Sequence, residues 1–192
     1  MSLVYFITHP DVEIDPALPV PQWPLSARGR ARMTTLLAKP WVRDIRSIYC
    51  SAERKAVEGA EILAAGLGLG FMAVETLGEN DRSSTGYLPK AEFETVADLF
   101  FARPSDSVRG WERAMDAQRR IVAAMADILL RPPSGGSIAV ISHGAVGALY
   151  LCHLKRAPIS RAEDQPATGG GNYFAFDTDG VVLRHGWRSI DD

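Results

Sequence analysis

Short unbroken runs of apolar residues alternate with longer mixed segments along this chain. The apolar runs predict buried strands at 3–7, 47–50, 71–74 and 138–141. The mixed segments between and after them predict helices at about 26–38, 52–67, 90–102, 108–130 and 144–154. Strands that alternate with helices form crossover units, in which the strands run parallel and helices cover both faces. The pattern therefore predicts a three-layer α/β/α fold with a mostly parallel sheet.

The last part of the chain has a different pattern. Two short apolar segments, 173–177 and 181–184, flank Asp179-Gly180, a dipeptide typical of tight hairpin turns. An antiparallel hairpin is therefore expected at one edge of the sheet. The 192 residues fit one domain, 1–192, and we see no linker that would divide it. Residues 77–130 are interpreted as a helical insertion of the kind that often forms part of a lid.

Composition excludes little but sets a background. The formal net charge is -2, which gives no reason to expect a nucleic-acid or membrane partner. The two cysteines, Cys50 and Cys152, form neither a disulfide framework nor a CxxC metal pattern, so a cytoplasmic location is expected. No apolar segment approaches the ~20 residues of a membrane helix. Oligomeric state stays open.

Chemically useful residues follow four of the predicted strands. They stand in Thr8-His9-Pro10, Ser51-Ala52-Glu53-Arg54-Lys55, Leu77-Gly78-Glu79 and Ser142-His143-Gly144. In open α/β sheets, ligands bind at the carboxyl ends of the strands, so these residues are expected to meet at one edge.

The set suits phosphoryl transfer. Neutral imidazole is a nucleophile, and the transferred group carries negative charge that cations and N–H donors can stabilise. Arg54 and Lys55 supply cations, and Gly144 opens a helix whose free N–H groups form an anion site. Glu79 could protonate the leaving oxygen if burial raises its pKa.

The same residues resemble the motifs of the histidine phosphatase (phosphoglycerate mutase-like) superfamily. The family motifs are Arg-His-Gly, Leu-Thr/Ser-x-x-Gly, Ser-x-x-x-Arg-Ala-x-Gln-Thr-Ala, Leu-x-Glu and Ser-His-Gly. The corresponding segments here are Thr8-His9-Pro10, residues 25–29, residues 51–60, Leu77-Gly78-Glu79 and Ser142-His143-Gly144. The resemblance implies a phosphatase without metal or organic cofactor, acting on a small phosphorylated molecule. It implies His9 as the phosphorylated nucleophile, Glu79 as the general acid and His143 as a phosphate ligand.

Three departures from the family pattern concern phosphate binding. Thr8 replaces the arginine before the nucleophile, and Thr carries no charge. Pro10 replaces a glycine and has no N–H. Lys55 replaces an arginine and loses the bidentate fork. Thr8, Lys55, Arg54, Gly144 and Arg82 are the predicted phosphate-binding residues, and Arg28 is a further candidate to compensate.

Several alternatives stay open. The chain could be a degenerate member that binds a phosphorylated ligand without turnover, or a mutase-type phosphotransferase. A metal hydrolase built on His9 and His143 would need a third ligand. A dinucleotide-binding oxidoreductase is suggested only by the glycines of residues 66–70, which follow a helix rather than the first strand.

Overall fold

The computed structural model describes residues 2–131, 135–179 and 181–192. Six strands are present in these ranges: β1 (Leu3–Thr8), β2 (Ile45–Ser51), β3 (Met72–Val74), β4 (Ser137–Ser142), β5 (Asn172–Asp177) and β6 (Leu183–Ser189). Five α-helices accompany them: α1 (Ala27–Leu36), α2 (Arg54–Leu67), α3 (Lys90–Ala102), α4 (Ala114–Leu129) and α5 (Gly144–Leu154). The predicted bounds of α3 and α5 are confirmed to the residue.

The strands form one mixed sheet in the order β3-β2-β4-β1-β5-β6. The pairs β2–β3, β2–β4 and β1–β4 are parallel, whereas β1–β5 and β5–β6 are antiparallel. This confirms the predicted parallel sheet with an antiparallel hairpin at one edge. Because β1 and β4 are parallel neighbours, Thr8 and Ser142 pair at their carboxyl ends.

Alternate residues of the strands face opposite helix layers. In β1, Val4 and Phe6 pack into a core shared with α3, α4 and α5, whereas Tyr5 and Ile7 pack into a core shared with α1 and α2. A strand that is buried on both faces has no polar positions, which explains the unbroken apolar runs. The three-layer arrangement is confirmed.

The prediction of one continuous helix over 108–130 is wrong. Arg109 and Gly110 have left-handed φ angles of 53° and 82°, which interrupt the helical backbone. The α-helix begins only at Ala114, and the Ser107 hydroxyl donates to the Trp111 carbonyl.

The end of the chain also differs from the expected bounds. Val181 has a left-handed φ of 52°, so β6 begins at Leu183 and continues to Ser189 instead of ending at 184. Gly180 of the predicted hairpin turn and residues 132–134 lie outside the described residues. Ser26 caps α1, its hydroxyl accepting from the Gly29 N–H at 3.1 Å.

Within the described ranges, no helix has the length and apolar character needed to cross a membrane.

Candidate active site

A cleft of about 470 Å³ opens beside the carboxyl ends of β1 and β4. Four of the residues predicted from the sequence line it together: His9, Glu79, Arg82 and Gly144. We call it the His9 cleft. Asn80, Lys90, Phe93, Arg161 and Gln165 are also in its wall.

His9 is held by backbone groups on both sides. Its N–H donates to the Ser142 carbonyl at 3.0 Å, which fixes it at the end of β1. Its ring Nδ1 lies 3.0 Å from the Pro10 carbonyl. Because a carbonyl only accepts, this contact is a hydrogen bond only if Nδ1 carries the proton, and Nε2 of the neutral ring then keeps its lone pair. Burial, and then the nearby Lys55 charge, lowers the pKa of His9 to about 4, so the ring is neutral at pH 7.

His143 is fully buried next to His9. The two ring centroids are 5.1 Å apart and the rings meet edge to face. Its Nε2 lies 2.8 Å from the Ser51 hydroxyl and 3.4 Å from a Glu53 carboxylate oxygen. Its Nδ1 is buried and has no partner among the described residues. Burial lowers the pKa of His143 well below its ordinary value.

Glu79 occupies the N-terminus of α5. Its carboxylate accepts from the N–H groups of Ala145 at 3.2 Å and Val146 at 3.1 Å. These are free amides of a first helical turn, which bind anions. The anion site predicted at the start of this helix, beside Gly144, therefore holds a carboxylate of the protein itself. Burial nevertheless raises the pKa of Glu79, and the nearby Glu53 charge acts in the same direction.

Glu53 contacts His143, Lys55 and the backbone of Glu79, and sequence reasoning gave it no role. Its carboxylate accepts from the Glu79 N–H at 2.8 Å, forms an ion pair with Lys55 and lies beside His143. Burial alone would raise the pKa of Glu53, but His143 and Lys55 outweigh it and bring the pKa to about 2. Only its place two residues after β2 could have identified it.

Lys55 and Arg54 do not line the His9 cleft. Lys55 is buried, and its Nζ donates to the Val20 carbonyl at 2.9 Å as well as to Glu53. Its charge is thus balanced by a carboxylate. Arg54 is 54% exposed and donates to Glu58 at 3.0 Å, on the outer surface of α2.

Thr8 is buried with its hydroxyl fully engaged. It donates to the Gln165 side-chain oxygen at 2.7 Å and accepts from the Asn172 N–H at 3.0 Å. These contacts join β1 to the loop before β5 and to β5 itself. Thr8, which stands at the position of the family arginine, therefore has a structural role: it holds β1 to β5 and to the loop that contains Gln165.

Two other cations border the cleft. Arg82 lies over the Phe93 ring, 5.0 Å from its centroid, and Lys90 begins α3. Across the described ranges, no carboxylate forms an ion pair with either side chain. Arg82 was a predicted candidate, whereas Lys90 was missed because nothing in the sequence places the start of α3 at the cleft. Arg28, the remaining candidate, lies 73% exposed beside Asp11.

The chain matches the histidine phosphatase superfamily (branch 1) over residues 19–185. It belongs to that superfamily. The matched range begins after His9, so it does not include the altered Thr8-His9-Pro10 motif. A search of curated proteins gives no match.

Solved structures with the histidine phosphatase fold cover nearly the whole chain. YhfR of Bacillus stearothermophilus is 21% identical with a TM-score of 0.79, covering 97% of this chain and 95% of its own. A mycobacterial glucosyl-3-phosphoglycerate phosphatase, solved with inorganic phosphate, is 18% identical with a TM-score of 0.76, and all of both chains is covered. A phosphoserine phosphatase from Entamoeba histolytica, solved with 3-phosphoglyceric acid, is 14% identical with a TM-score of 0.77 and covers 98% of each chain. At these identities the likeness shows the fold.

Two alternatives can be compared with the superfamily assignment. The glycines of residues 66–70 end α2, where Gly68 adopts φ 65° as the helix cap, and they are remote from a first-strand phosphate loop. A metal hydrolase needs at least three ligands. The described residues contain no group of three or more His, Cys, Asp or Glu side chains placed to hold a metal ion.

Proposed function

We propose that this superfamily member is a phosphate-ester hydrolase that works through a phosphohistidine on His9, with Glu79 as the general acid. One observation carries the proposal. Nδ1 of His9 lies 3.0 Å from the Pro10 carbonyl, which only accepts hydrogen bonds, so this contact favours the Nδ1–H tautomer and leaves the Nε2 lone pair free in a cleft that Glu79 also lines. A neutral nucleophile and a carboxyl group with a raised pKa are the two groups that this reaction requires.

In the first step, Nε2 of His9 attacks phosphorus and a nitrogen–phosphorus bond forms. The bond from phosphorus to the ester oxygen breaks, and protonated Glu79 gives its proton to that oxygen, so a neutral alcohol leaves. The phosphorylated ring keeps its Nδ1 proton and carries a positive charge. The hydrogen bond to the Pro10 carbonyl stabilises that charge.

In the second step, water replaces histidine. Glu79, now a carboxylate, takes a proton from a water molecule whose oxygen attacks phosphorus. The nitrogen–phosphorus bond breaks, its electron pair returns to Nε2, and inorganic phosphate leaves. Glu79 is again protonated and His9 again neutral, so the cycle closes without a cofactor.

The negative charge on the phosphoryl oxygens needs cations or N–H donors around it, and three side chains are proposed for this role. Arg82 and Lys90 border the cleft without carboxylate partners among the described residues. If Ser51 donates to Nε2 of His143, the proton of that ring lies on Nδ1, the atom without a partner. A phosphoryl oxygen next to His9 would satisfy this buried N–H, since an unpaired buried donor costs about 1–3 kcal/mol.

Binding of a phosphorylated ligand without turnover is the second candidate. It is favoured by Thr8, which carries no charge, and by Lys55, whose charge Glu53 balances. As part of the main proposal the enzyme works in the cytoplasm, because Cys50 and Cys152 are both free and buried.

The test measures hydrolysis of 4-nitrophenyl phosphate by the wild type, His9→Ala and the matched control His153→Ala. His153 is an exposed residue near the far end of α5. We expect activity in the wild type and the control, at least about 10³-fold less in His9→Ala, and an acid-labile, alkali-stable phosphoprotein only where His9 is present. Full activity of His9→Ala would refute the nucleophile. An inactive wild type that phosphate still stabilises against heat would support the binding protein.

A further inference from the structure

A second cavity adjoins the His9 cleft. It has a volume of about 620 Å³ and is lined on one side by the proline-rich segment 16–21 and on the other by residues 79–83, Gly86 and Tyr87. A smaller cavity of about 280 Å³ shares Val20, Arg82, Gly86 and Tyr87 with it and adds Trp23 and Phe93. We call the two together the proline–tyrosine pocket.

The proline–tyrosine pocket and the His9 cleft have a common wall. Glu79, Asn80 and Arg82 line both the cleft and the larger cavity. The leaving oxygen must lie within reach of Glu79, because Glu79 gives it a proton. The rest of the leaving group then extends away from His9, and the proline–tyrosine pocket is a space past Glu79 that can receive it.

The outer walls of the pocket are apolar. Leu18, Tyr87 and Ile14 are 37%, 39% and 56% exposed, which is unusual for large apolar side chains that adjoin one another. The Trp23 and Tyr87 rings lie 5.9 Å apart and form an aromatic corner. The charged side chains of the pocket lie on the side of the active site or at the start of α3: Glu53, Glu79, Asp81, Arg82 and Lys90. Pockets of 300–1,000 Å³ with apolar walls and few polar groups typically bind small organic molecules.

Asn80 supplies a polar group at the junction. Its side chain is buried, and its Nδ2 has no hydrogen-bond partner among the described residues. Since it borders both spaces, this amide can donate to an oxygen of the substrate near the phosphate ester. An unsatisfied donor at that position is explained by a ligand that spans the two spaces.

We propose that the substrate is a phosphate monoester of an apolar, ring-bearing alcohol, whose ring occupies the proline–tyrosine pocket. The proposal rests on the hydrolase function proposed above and adds the chemical class of the leaving group. Small polar alcohols such as glycerol would leave this pocket filled with water and its apolar walls uncovered.

The experiment compares benzyl phosphate with glycerol 1-phosphate. Both are esters of primary alcohols, so leaving-group basicity contributes little to the difference. We expect kcat/KM for benzyl phosphate to be at least about tenfold higher, in line with what one apolar group contributes to discrimination. Leu18→Asn should reduce that ratio about threefold to tenfold. The matched control Leu130→Asn changes a leucine that is 80% exposed and lines neither cavity, and should leave both rates unchanged.

Binding of the non-hydrolysable benzylphosphonate and 2,3-dihydroxypropylphosphonate, measured by calorimetry, separates this proposal from the hydrolase function. If both esters are hydrolysed and glycerol 1-phosphate is used equally well or better, the proposal of an apolar leaving group is refuted and the hydrolase function stands. If neither ester is hydrolysed, but benzylphosphonate binds more tightly and Leu18→Asn weakens that binding, the hydrolase function is refuted and the apolar pocket is supported. Equal binding of the two phosphonates overturns the pocket whatever the turnover.

Discussion

The two halves of the active site follow the family pattern to very different degrees. The residues at the family positions of the nucleophile, the general acid and the second histidine, His9, Glu79 and His143, are all present and lie together at the sheet edge. Of the positions that hold phosphate-binding arginines in the family, one is Thr8 and the other is Lys55, and both are engaged elsewhere. The side chains proposed for the chemistry thus stand in a site whose positive charges differ from the family pattern.

Because the two family arginines are missing, other cations of the cleft must supply the positive charge. A transferred phosphoryl group needs positive charge whatever its source. With Lys55 bound to Glu53, the cations that remain at the cleft without a carboxylate partner among the described residues are Arg82 and Lys90. Both belong to the segment after β3, so the proposed function places phosphate binding on that segment and not on β1 and α2.

The largest effect is expected from the proposed general acid, Glu79. Glu79→Gln keeps an oxygen that can accept from Ala145 and Val146 but cannot donate a carboxylic proton, so kcat should fall about 10³-fold. Steady-state kinetics with an alkyl phosphate, whose alcohol leaves poorly without a proton, measures this loss. The matched control is Glu75→Gln, an exposed glutamate in the same segment, which should stay within about twofold of wild type.

The pH profile of the wild type tests His9 and Glu79 together. Activity requires neutral His9, so kcat/KM should rise as the pH increases through about 4, where this buried ring loses its proton. It also requires protonated Glu79, so it should fall again at a pH above the ordinary range of a glutamic acid. In Glu79→Gln the alkaline limb should disappear, and an unchanged alkaline limb would show that another group supplies the proton.

Next in size is the loss of the buried ion pair. Glu53→Gln leaves Lys55 charged and buried without its counter-ion, which should lower the free energy of unfolding by about 3 kcal/mol in urea titrations. The double variant Glu53→Gln, Lys55→Met removes both charges and should recover part of the loss. Because the folded state lowers the pKa of Glu53, the stabilisation is complete above about pH 5 and is lost as the pH falls toward 2.

A smaller effect compares two arginines directly. Arg82→Ala removes a cation from the wall of the cleft and should lower kcat/KM about 10²-fold. Arg54→Ala, a matched control on the outer surface of α2, should leave kcat/KM within about twofold of wild type. If Arg54→Ala lost more activity than Arg82→Ala, phosphate binding would lie at Arg54, as the sequence pattern suggests.

The sequence predicted the fold and the positions of three site residues for the same reason. Continuous apolar runs determine buried parallel strands, and residues next to strand ends are positioned by the backbone, so His9, His143 and Glu79 could be located without knowledge of their neighbours. Long cationic side chains are different. Whether Lys55 turns toward phosphate or toward Glu53 depends on contacts between distant segments, here with Val20, and the sequence pattern carries no signal for them.

The same distinction explains the error over 108–130. Composition there is compatible with a helix, but the left-handed backbone at Arg109 belongs to a turn in which Ser107 donates to the Trp111 carbonyl. Contacts with a distant segment hold this turn as well: the Ser84 hydroxyl donates to the Arg109 carbonyl at 3.0 Å, and the Trp111 Nε1 donates to the Thr85 hydroxyl at 2.9 Å. Tertiary contacts of this kind outweigh helix propensity.

The smallest predicted effect concerns Thr8 and separates a structural from a ligand-binding role. Thr8→Val keeps the shape of the side chain but removes the hydroxyl that binds Gln165 and Asn172. The free energy of unfolding should fall by about 1–2 kcal/mol, because the Asn172 N–H is buried and loses its acceptor. Thr8→Ser, which keeps the hydroxyl, should lose less. KM for a phosphate ester should change less than about twofold in both variants, since the hydroxyl faces the frame and not the cleft. A tenfold rise in KM for Thr8→Val with unchanged stability would instead make Thr8 a phosphate ligand, and the family position before the nucleophile would have kept its function after losing its charge.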